Sequence, residues 1–199
     1  FISFISHGAP SKILFGSCAH QDNVMPILDA VNAEQADLFV FLGDNIYGDT
    51  EDMLELKAKY EKLGANPRFQ SLRANTELVA TWDDHDFGEN DAGSEYPKKK
   101  ESKQVMLDFW QEPKTSKRYQ REDGIYTSYM YGEGEQTVHL ILLDLRYNRE
   151  PINEVSSFTF YATRAWRNIG PYDVSDNPTA TMLGEKQWAW FEQELKKPA

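Results

Sequence analysis

The chain has 199 residues, a length that suits one ordinary domain with its own hydrophobic core. Its 21 basic and 32 acidic residues give a formal charge of −11, which argues against a protein that holds nucleic acid or an anionic membrane by their phosphates. The single cysteine, Cys18, excludes an intramolecular disulfide, and no apolar run reaches the ~18 residues of a membrane-spanning helix.

The first part of the chain alternates short apolar runs with helical patterns. Residues 1–6 are apolar and fit either a first strand or the remnant of a removed signal peptide. The runs 12–18 and 36–44 each stop at a glycine beside polar residues, which is typical of buried parallel strands. Apolar residues recur at helical spacing between these two runs. The pattern therefore predicts a strand, a helix and a parallel strand over residues 12–44.

The rest of the chain continues this alternation and then changes to a hairpin. Asn66 and Pro67 have the residue types of a helix cap and a first helical position. Segments 124–131 and 138–146 flank a glycine-rich turn and predict two antiparallel strands. The remaining expectations are helices at 52–63, 98–110 and 182–197, a strand at 78–82, and a long loop at 147–180 that is either functional or disordered.

The segment 81–91 holds four aspartates, one glutamate and one histidine, with no lysine or arginine. Carboxylates this close repel one another unless a cation or strong hydrogen-bond donors hold them. Because an apolar, partly β-branched run precedes the segment, these acids are expected where a buried strand enters a loop. Strand ends are a usual location for chemistry in an α/β protein. A bound metal is the simplest explanation of the acidic segment.

Three predicted strands end in residues that can bind metals. The first ends at Cys18, the second leads to Asp44 and Tyr47, and the third leads to Asp84 and His85. The ends of neighbouring parallel strands lie along one edge, so these residues are expected to converge. A thiolate or phenolate favours a strongly Lewis-acidic ion such as ferric iron, whereas carboxylate and amide oxygens suit calcium or magnesium.

Each of these residues also has a purely structural interpretation. Cys18 alone would most often be a packed core thiol, Tyr47 a half-buried aromatic residue, and Asp44 a helix cap. Their coincidence at three strand ends favours a site. An EF-hand is excluded because the acidic segment lacks the third oxygen ligand and the bidentate acid at the required spacing.

Four segments, in this order and spacing, resemble the motifs of the alkaline phosphatase D-like metallophosphatases. They read FGSC (15–18), FLGDNIYGD (41–49), TWDDHD (81–86) and LLDLR (142–146). The resemblance spans residues 12–195 and implies a four-layer α/β/β/α sandwich with a metal cluster at the strand ends. It also implies hydrolysis of phosphate monoesters or diesters with iron(III) and calcium, other divalent metals being possible. A secreted, periplasmic or cell-surface location is expected.

The resemblance assigns roles residue by residue. Cys18 and Tyr47 would ligate the iron, and Asp44 would bridge it to the second metal. Asp84 would ligate that second metal beside His85 as the catalytic acid, and Asn90 is a further candidate oxygen ligand. Arg146 would hold the substrate phosphate through a bidentate contact, although a helix-capping or ion-pairing role is equally compatible with its position.

The family pattern continues beyond the last helix into strands that supply a Gly-Asp-x-His type motif, which does not occur before Ala199. Residues 1–199 are therefore expected to form the N-terminal portion of a single catalytic domain, with the second sheet incomplete. An apolar surface should then be exposed near the terminal helix. The expected substrate is a small phosphate ester or a phospholipid. A non-catalytic metal-binding module, or an inactive fragment that needs a missing C-terminal half, stays open as an alternative.

Overall fold

The computed structural model describes residues 8–198, so the strand or signal remnant considered for residues 1–6 lies outside the described residues. Its helices and small sheets confirm the α/β class. The strands are β1 (Ile13–Gly16), β2 (Leu38–Phe41), β3 (Glu77–Ala80), β4 (Thr127–Tyr131), β5 (Val138–Leu142), β6 (Asn153–Glu154) and β7 (Tyr172–Asp173). The α-helices are α1 (Ile27–Ala33), α2 (Met53–Ala65), α3 (Pro67–Asn75), α4 (Asp84–Phe87), α5 (Lys99–Phe109), α6 (Lys117–Gln120), α7 (Ser157–Thr159) and α8 (Glu185–Glu194).

A parallel sheet of order β1-β2-β3 forms the centre of the structure. All four residues of β2 are buried, because both faces of the sheet are covered there. The pairing brings Gly16 opposite Phe41, and Phe41 opposite Ala80. The three strands therefore end level with one another, which confirms the predicted convergence of their carboxyl ends.

Helices cover one face of this sheet. Their buried residues join Phe39 and Phe41 of β2 in the main hydrophobic cluster. The expected helix start at Asn66 and Pro67 is confirmed, since the Asn66 side chain accepts a hydrogen bond from the backbone N–H of Arg68 at 2.9 Å. Asn66 also ends α2, so one residue both terminates that helix and caps α3.

The predicted hairpin of β4 and β5 is confirmed and lies against the opposite face of the parallel sheet. Thr127 pairs with Leu142 and Tyr131 pairs with Val138 in an antiparallel ladder. A second hydrophobic cluster joins β5 to β2 and β3 through Leu38, Val40, Val79 and Leu142. The hairpin does not shield the whole face, because the Phe15 side chain on the edge strand β1 is 70% exposed. The arrangement is a partial sandwich.

The segment 147–180, predicted as a long loop, has no long α-helix or strand, but it forms continuous helical turns over residues 157–167, which the sequence analysis did not predict. Its strands β6 and β7 are two residues each and pair with one another. Helix α8 follows it, but its packing differs from the amphipathic face predicted from Leu183, Trp188, Phe191 and Leu195. Trp188 is 49% and Leu195 62% exposed, whereas the polar residues Gln187 and Glu194 are buried. The apolar surface expected near the terminal helix is therefore present. Between residues 8 and 198, no helix is both long and apolar enough to cross a membrane.

Candidate metal centre at the strand ends

The loops that follow β1 and β2 are hydrogen-bonded to each other. The backbone N–H of Cys18 donates to the carbonyl of Gly43 at 3.2 Å, and that of Ala19 donates to the carbonyl of Asp44 at 2.8 Å. Cys18 and Asp44 both have left-handed backbone conformations, with φ of 61° and 51°. Such conformations are uncommon outside glycine and cluster at functional sites. Both loops therefore turn sharply at the residues predicted to bind metal.

Gly43 allows the loop after β3 to approach this turn. Its φ is +111°, a conformation that side-chain-bearing residues rarely adopt. A β-carbon placed there would lie 2.6 Å from both the backbone nitrogen and the β-carbon of Asp83. The close approach of the two loops therefore requires glycine at this position.

Three carboxylates meet where these loops come together. One oxygen each from Asp44, Asp83 and Asp84 lies within 4.8 Å of the others. Burial raises the pKa of Asp44, and the charges of Asp84 and Asp83 raise it further. The Oδ1 atom of Asp44 is buried and has no hydrogen-bond partner among the described residues. Carboxylate oxygens left unsatisfied in this way fit a cation, which would neutralise their mutual repulsion.

Asp86 fixes the separation of the loops that carry these carboxylates. Its side chain is fully buried and accepts hydrogen bonds from the backbone N–H groups of Asp44, Asn45 and Asp83 at 2.6–3.2 Å. The side-chain amide of Asn45 donates to the same carboxylate at 2.6 Å. Asp86 therefore ties the end of β2 to the end of β3 without itself joining the carboxylate cluster.

The thiol and the phenol expected at the centre both lie near Asp44. Cys18 is exposed, so its interpretation as a packed core thiol is wrong. Its Sγ donates to Oδ2 of Asp44 at 3.5 Å. The ring of Tyr47 lies between two imidazoles, with centroids 4.5 Å from His20 and 4.2 Å from His85. Burial, together with Cys18, Asp44 and Asp84, raises the pKa of Tyr47 to about 12.

His85 is held by the carboxylate of Asp49, which belongs to the segment FLGDNIYGD (41–49). Its Nδ1 lies 2.7 Å and 2.9 Å from the two oxygens of Asp49. Burial acts to lower the pKa of His85, but the Asp49 hydrogen bond and the charges of Asp49, Asp84 and Asp44 outweigh it and raise this pKa above its usual value. The Asp49 contact occupies Nδ1 and leaves Nε2 as the nitrogen available for proton transfer.

Arg146 forms ion pairs with the carboxylate cluster. Its Nε pairs with Asp83, and its Nη2 lies 3.2 Å from Oδ1 of Asp84. Its Nη1 is buried and has no hydrogen-bond partner within residues 8–198. The ion-pairing role considered from the sequence is therefore present.

Asn90 lies in the exposed loop after α4, where its side-chain amide donates to Asp91 at 3.0 Å. The backbone N–H of Asp91 in turn donates to Oδ2 of Asp84 at 2.7 Å. The structure thus brings Cys18, Asp44, Tyr47, Asp84, His85 and Arg146 together, whereas the Asn90 amide contacts the centre only through its neighbour.

The sequence did not identify three residues that shape this centre. Asp83 joins the carboxylate cluster, Asp86 holds the two loops together, and Asp49 holds His85. All three lie within the motifs quoted above, so the excess of aspartate was a usable signal. Their separate roles depend on the direction in which each side chain points after a turn. The apolar periodicity of the sequence gives no information about that direction.

Two comparisons with known proteins give matches. The sequence model of the family described as "PhoD-like phosphatase" matches residues 49–199. A solved structure titled "Structure of PhoD" is similar with a TM-score of 0.66 and 16% sequence identity, and the match covers 96% of this chain. It covers 40% of that chain, so the present chain spans less than half of that protein's length. None of the curated protein sequences matches the chain significantly.

Proposed function

This chain belongs to the PhoD-like phosphatase family, and we propose that it hydrolyses phosphate esters at the metal centre where β1, β2 and β3 end. One observation carries the proposal. Oxygens of Asp44, Asp83 and Asp84 lie within 4.8 Å of one another, and Oδ1 of Asp44 is buried with no partner among the described residues. Arg146 pairs with Asp83 and Asp84, but Asp44 has no ion-pair partner among the described residues, so a bound cation would remove the remaining cost of the cluster.

The donor set supports two kinds of metal. The Cys18 thiol and the Tyr47 phenol flank Asp44 and suit iron(III). The carboxylates of Asp84 and Asp83 suit calcium. Bound metals would supply Lewis acidity, neutralising the phosphate oxygens and lowering the pKa of the attacking water.

The chain's own side chains would orient the substrate and move the proton. His85 would donate a proton from Nε2 to the leaving oxygen, while Asp49 holds its Nδ1 and stabilises the imidazolium. Arg146 would use its free Nη1 to hold a phosphate oxygen and its other nitrogens to keep Asp83 and Asp84 in place.

A combined metal and activity measurement tests the proposal. The purified chain would be analysed for bound iron and calcium and assayed with a chromogenic phosphate monoester and diester. We expect metal and turnover in the parent chain, loss of both in Asp44→Asn, and retention of both in Asp176→Asn, a control at an exposed loop residue. Turnover that survives complete metal removal would contradict the proposal.

A second candidate function is a non-catalytic metal-binding module, or a fragment that acts only with a missing C-terminal half. The observation favouring it is the coverage of 40% of the similar solved chain. Calcium binding without turnover would identify the module. Absence of both metal and turnover would identify the fragment.

Small phosphate monoesters, diesters and phospholipids are the substrate classes that this proposal includes. The resemblance of the motifs also supports a secreted, periplasmic or cell-surface location. Detection of the protein in extracellular, periplasmic and cytoplasmic fractions of its native cell would test that location.

A further inference from the structure

A second group of polar side chains surrounds a cavity of about 190 Å³ beside α5. Its lining includes three cations, Lys100, Lys103 and Arg121, and a single carboxylate, that of Glu122. None of the carboxylates of the metal centre lines this cavity. The chain has a formal charge of −11, so the charge of these lining residues is opposite in sign to that of the whole chain.

Lys103 is a buried cation without an acidic partner. Its residue is only 6% exposed, and its Nζ donates to the backbone carbonyl of Arg121. Among the described residues, no carboxylate forms an ion pair with this ammonium group. Lys197 shows the usual arrangement for comparison, because its ammonium contacts both carboxylate oxygens of Glu194 at 2.7 Å. An ammonium group has three N–H donors, so two remain for another acceptor. The charges of Asp123 and Asp144 favour the ammonium from beyond ion-pair distance, but a buried cation without a directly paired carboxylate is still costly.

Arg121 presents a second incompletely satisfied cation to the same cavity. Its Nε is buried and lacks a hydrogen-bond partner within the described part of the chain. Its guanidinium lies 3.4 Å from the centre of the Tyr126 ring, a cation–π contact that fixes the group but satisfies none of its N–H donors with an oxygen. Gln104 and Gln120 add amide groups to the lining.

We propose that this cavity binds a small inorganic oxyanion, such as phosphate or sulfate, between the Lys103 ammonium and the Arg121 guanidinium. The volume is well below the roughly 300–1,000 Å³ of pockets that take drug-sized ligands, which favours an anion of a few atoms. Charge-assisted hydrogen bonds to an anion would satisfy the free donors of both cations. Burial lowers the pKa of Lys103 to about 8, and a bound anion would raise it again.

Residue-resolved binding measurements test this site separately from the metal centre. The ¹⁵N-labelled chain, as purified, would be titrated with sulfate at constant ionic strength. We expect saturable shifts of the amide signals of Lys103, Gln104 and Arg121. Lys103→Met should weaken binding roughly tenfold or more, which is about 1.4 kcal/mol. The control Lys57→Met removes the same charge from an exposed position on α2 and should leave the affinity unchanged.

Two further variants make the result decisive. Gln104→Glu leaves Lys103 in place but adds a carboxylate beside it, so it should also weaken sulfate binding. Asp44→Asn alters only the metal centre and should bind sulfate like the parent, whether or not the chain proves to be a phosphatase. Unchanged affinity in Lys103→Met would overturn the proposal. Shifts centred on Asp84 and Arg146, or shifts spread without saturation over surface lysines, would overturn it as well.

Discussion

Asp44, Asp83 and Asp84 illustrate how single side chains set the properties of the metal centre. Each is ordinary at a strand end, but together they place three negative charges in one small volume. The Arg146 guanidinium compensates part of that charge, while the buried Oδ1 of Asp44 receives no donor from the described residues. A cation bound here would therefore depend on Asp44 in particular, whose Oδ1 no described donor satisfies.

Gly43→Ala tests whether metal binding requires the close approach of the loops that follow β2 and β3. The added β-carbon meets Asp83 at 2.6 Å in a backbone conformation that disfavours side chains, so we expect a loss of roughly 1–3 kcal/mol in the free energy of unfolding. Metal content, measured by elemental analysis, should fall with it. Gly134→Ala is the matched control, because Gly134 also has positive φ but open space around its β-position. Its cost should be about 1 kcal/mol with full metal content.

His85→Ala tests the assignment of the catalytic acid. We expect kcat to fall by roughly 10²- to 10⁴-fold, because general acid catalysis is removed, while metal content stays nearly constant. Asp49→Asn should cause a smaller loss and shift the pH profile of kcat, since Asp49 acts only through His85. Steady-state kinetics with a chromogenic ester would measure both effects. Full turnover in His85→Ala would contradict the assignment.

At the scale of elements, apolar periodicity was sufficient to locate the parallel strands, their helices and the hairpin. It succeeded for β2 because a strand buried on both faces is continuously apolar. It failed for α4, a single turn within the acidic segment, because its capping interactions involve aspartates rather than an apolar pattern. It also failed for the packing of α8, which is anchored partly by the buried polar residues Gln187 and Glu194.

For the candidate site, the sequence predicted which residues converge but not how their side chains pair. Convergence of Cys18, Asp44 and Asp84 followed from parallel strands ending at one edge. The pairing of His85 with Asp49, and of Arg146 with Asp83, depends on side-chain directions after tight turns. Those contacts are tertiary, so the spacing of residues in the sequence carries no record of them.

The attachment of α8 to the hairpin should depend on pH through Glu194. Burial acts to raise the pKa of Glu194, but hydrogen bonds from Lys197, Ser128 and His139 outweigh it, so this pKa is lowered on folding. A carboxyl group whose pKa is lowered on folding contributes stability at pH values above its unfolded pKa, which is about 4.5 for glutamate. That contribution is lost as the pH falls from about 4.5 through the folded pKa.

Glu194→Gln should therefore lower the free energy of unfolding by roughly 1–3 kcal/mol at pH 7 and have little effect once Glu194 is protonated in the parent. Glu192→Gln, at an exposed position on the same helix, should be nearly neutral at every pH. Urea unfolding of the parent and both variants between pH 3 and pH 7 would measure this. A constant difference across that range would contradict the coupling.

At the scale of the whole molecule, the chain resembles part of a larger fold. It matches 40% of the similar solved chain, and its apolar side chains stay exposed on β1 and α8. The carboxyl ends of the parallel strands are nevertheless organised, with hydrogen bonds linking all three loops. A metal bound among these loops would therefore contribute to the stability of the fold.

Metal removal should lower the stability of the whole chain. Binding to the folded state alone contributes about 2.7 kcal/mol at a free metal concentration of 100 times Kd, which corresponds to a Tm shift of about 5–10 °C at this size. Differential scanning calorimetry before and after chelation would measure the shift. Asp44→Asn should show a reduced shift, and the exposed control Asp176→Asn should show the full one. Identical Tm values with and without metal would contradict the prediction.

The hydrogen bonds of Asp86 indicate that the loops can reach their final positions before any metal binds. Because this buried carboxylate holds the β2 and β3 loops through protein donors alone, the positions of Asp44, Asp83 and Asp84 are set by the folded chain itself. A metal that binds here would then shed hydration water with little rearrangement of the chain. The repulsion among the three aspartates, which Arg146 offsets only in part, would be relieved when a cation binds, so binding should need little change in the conformation of these loops.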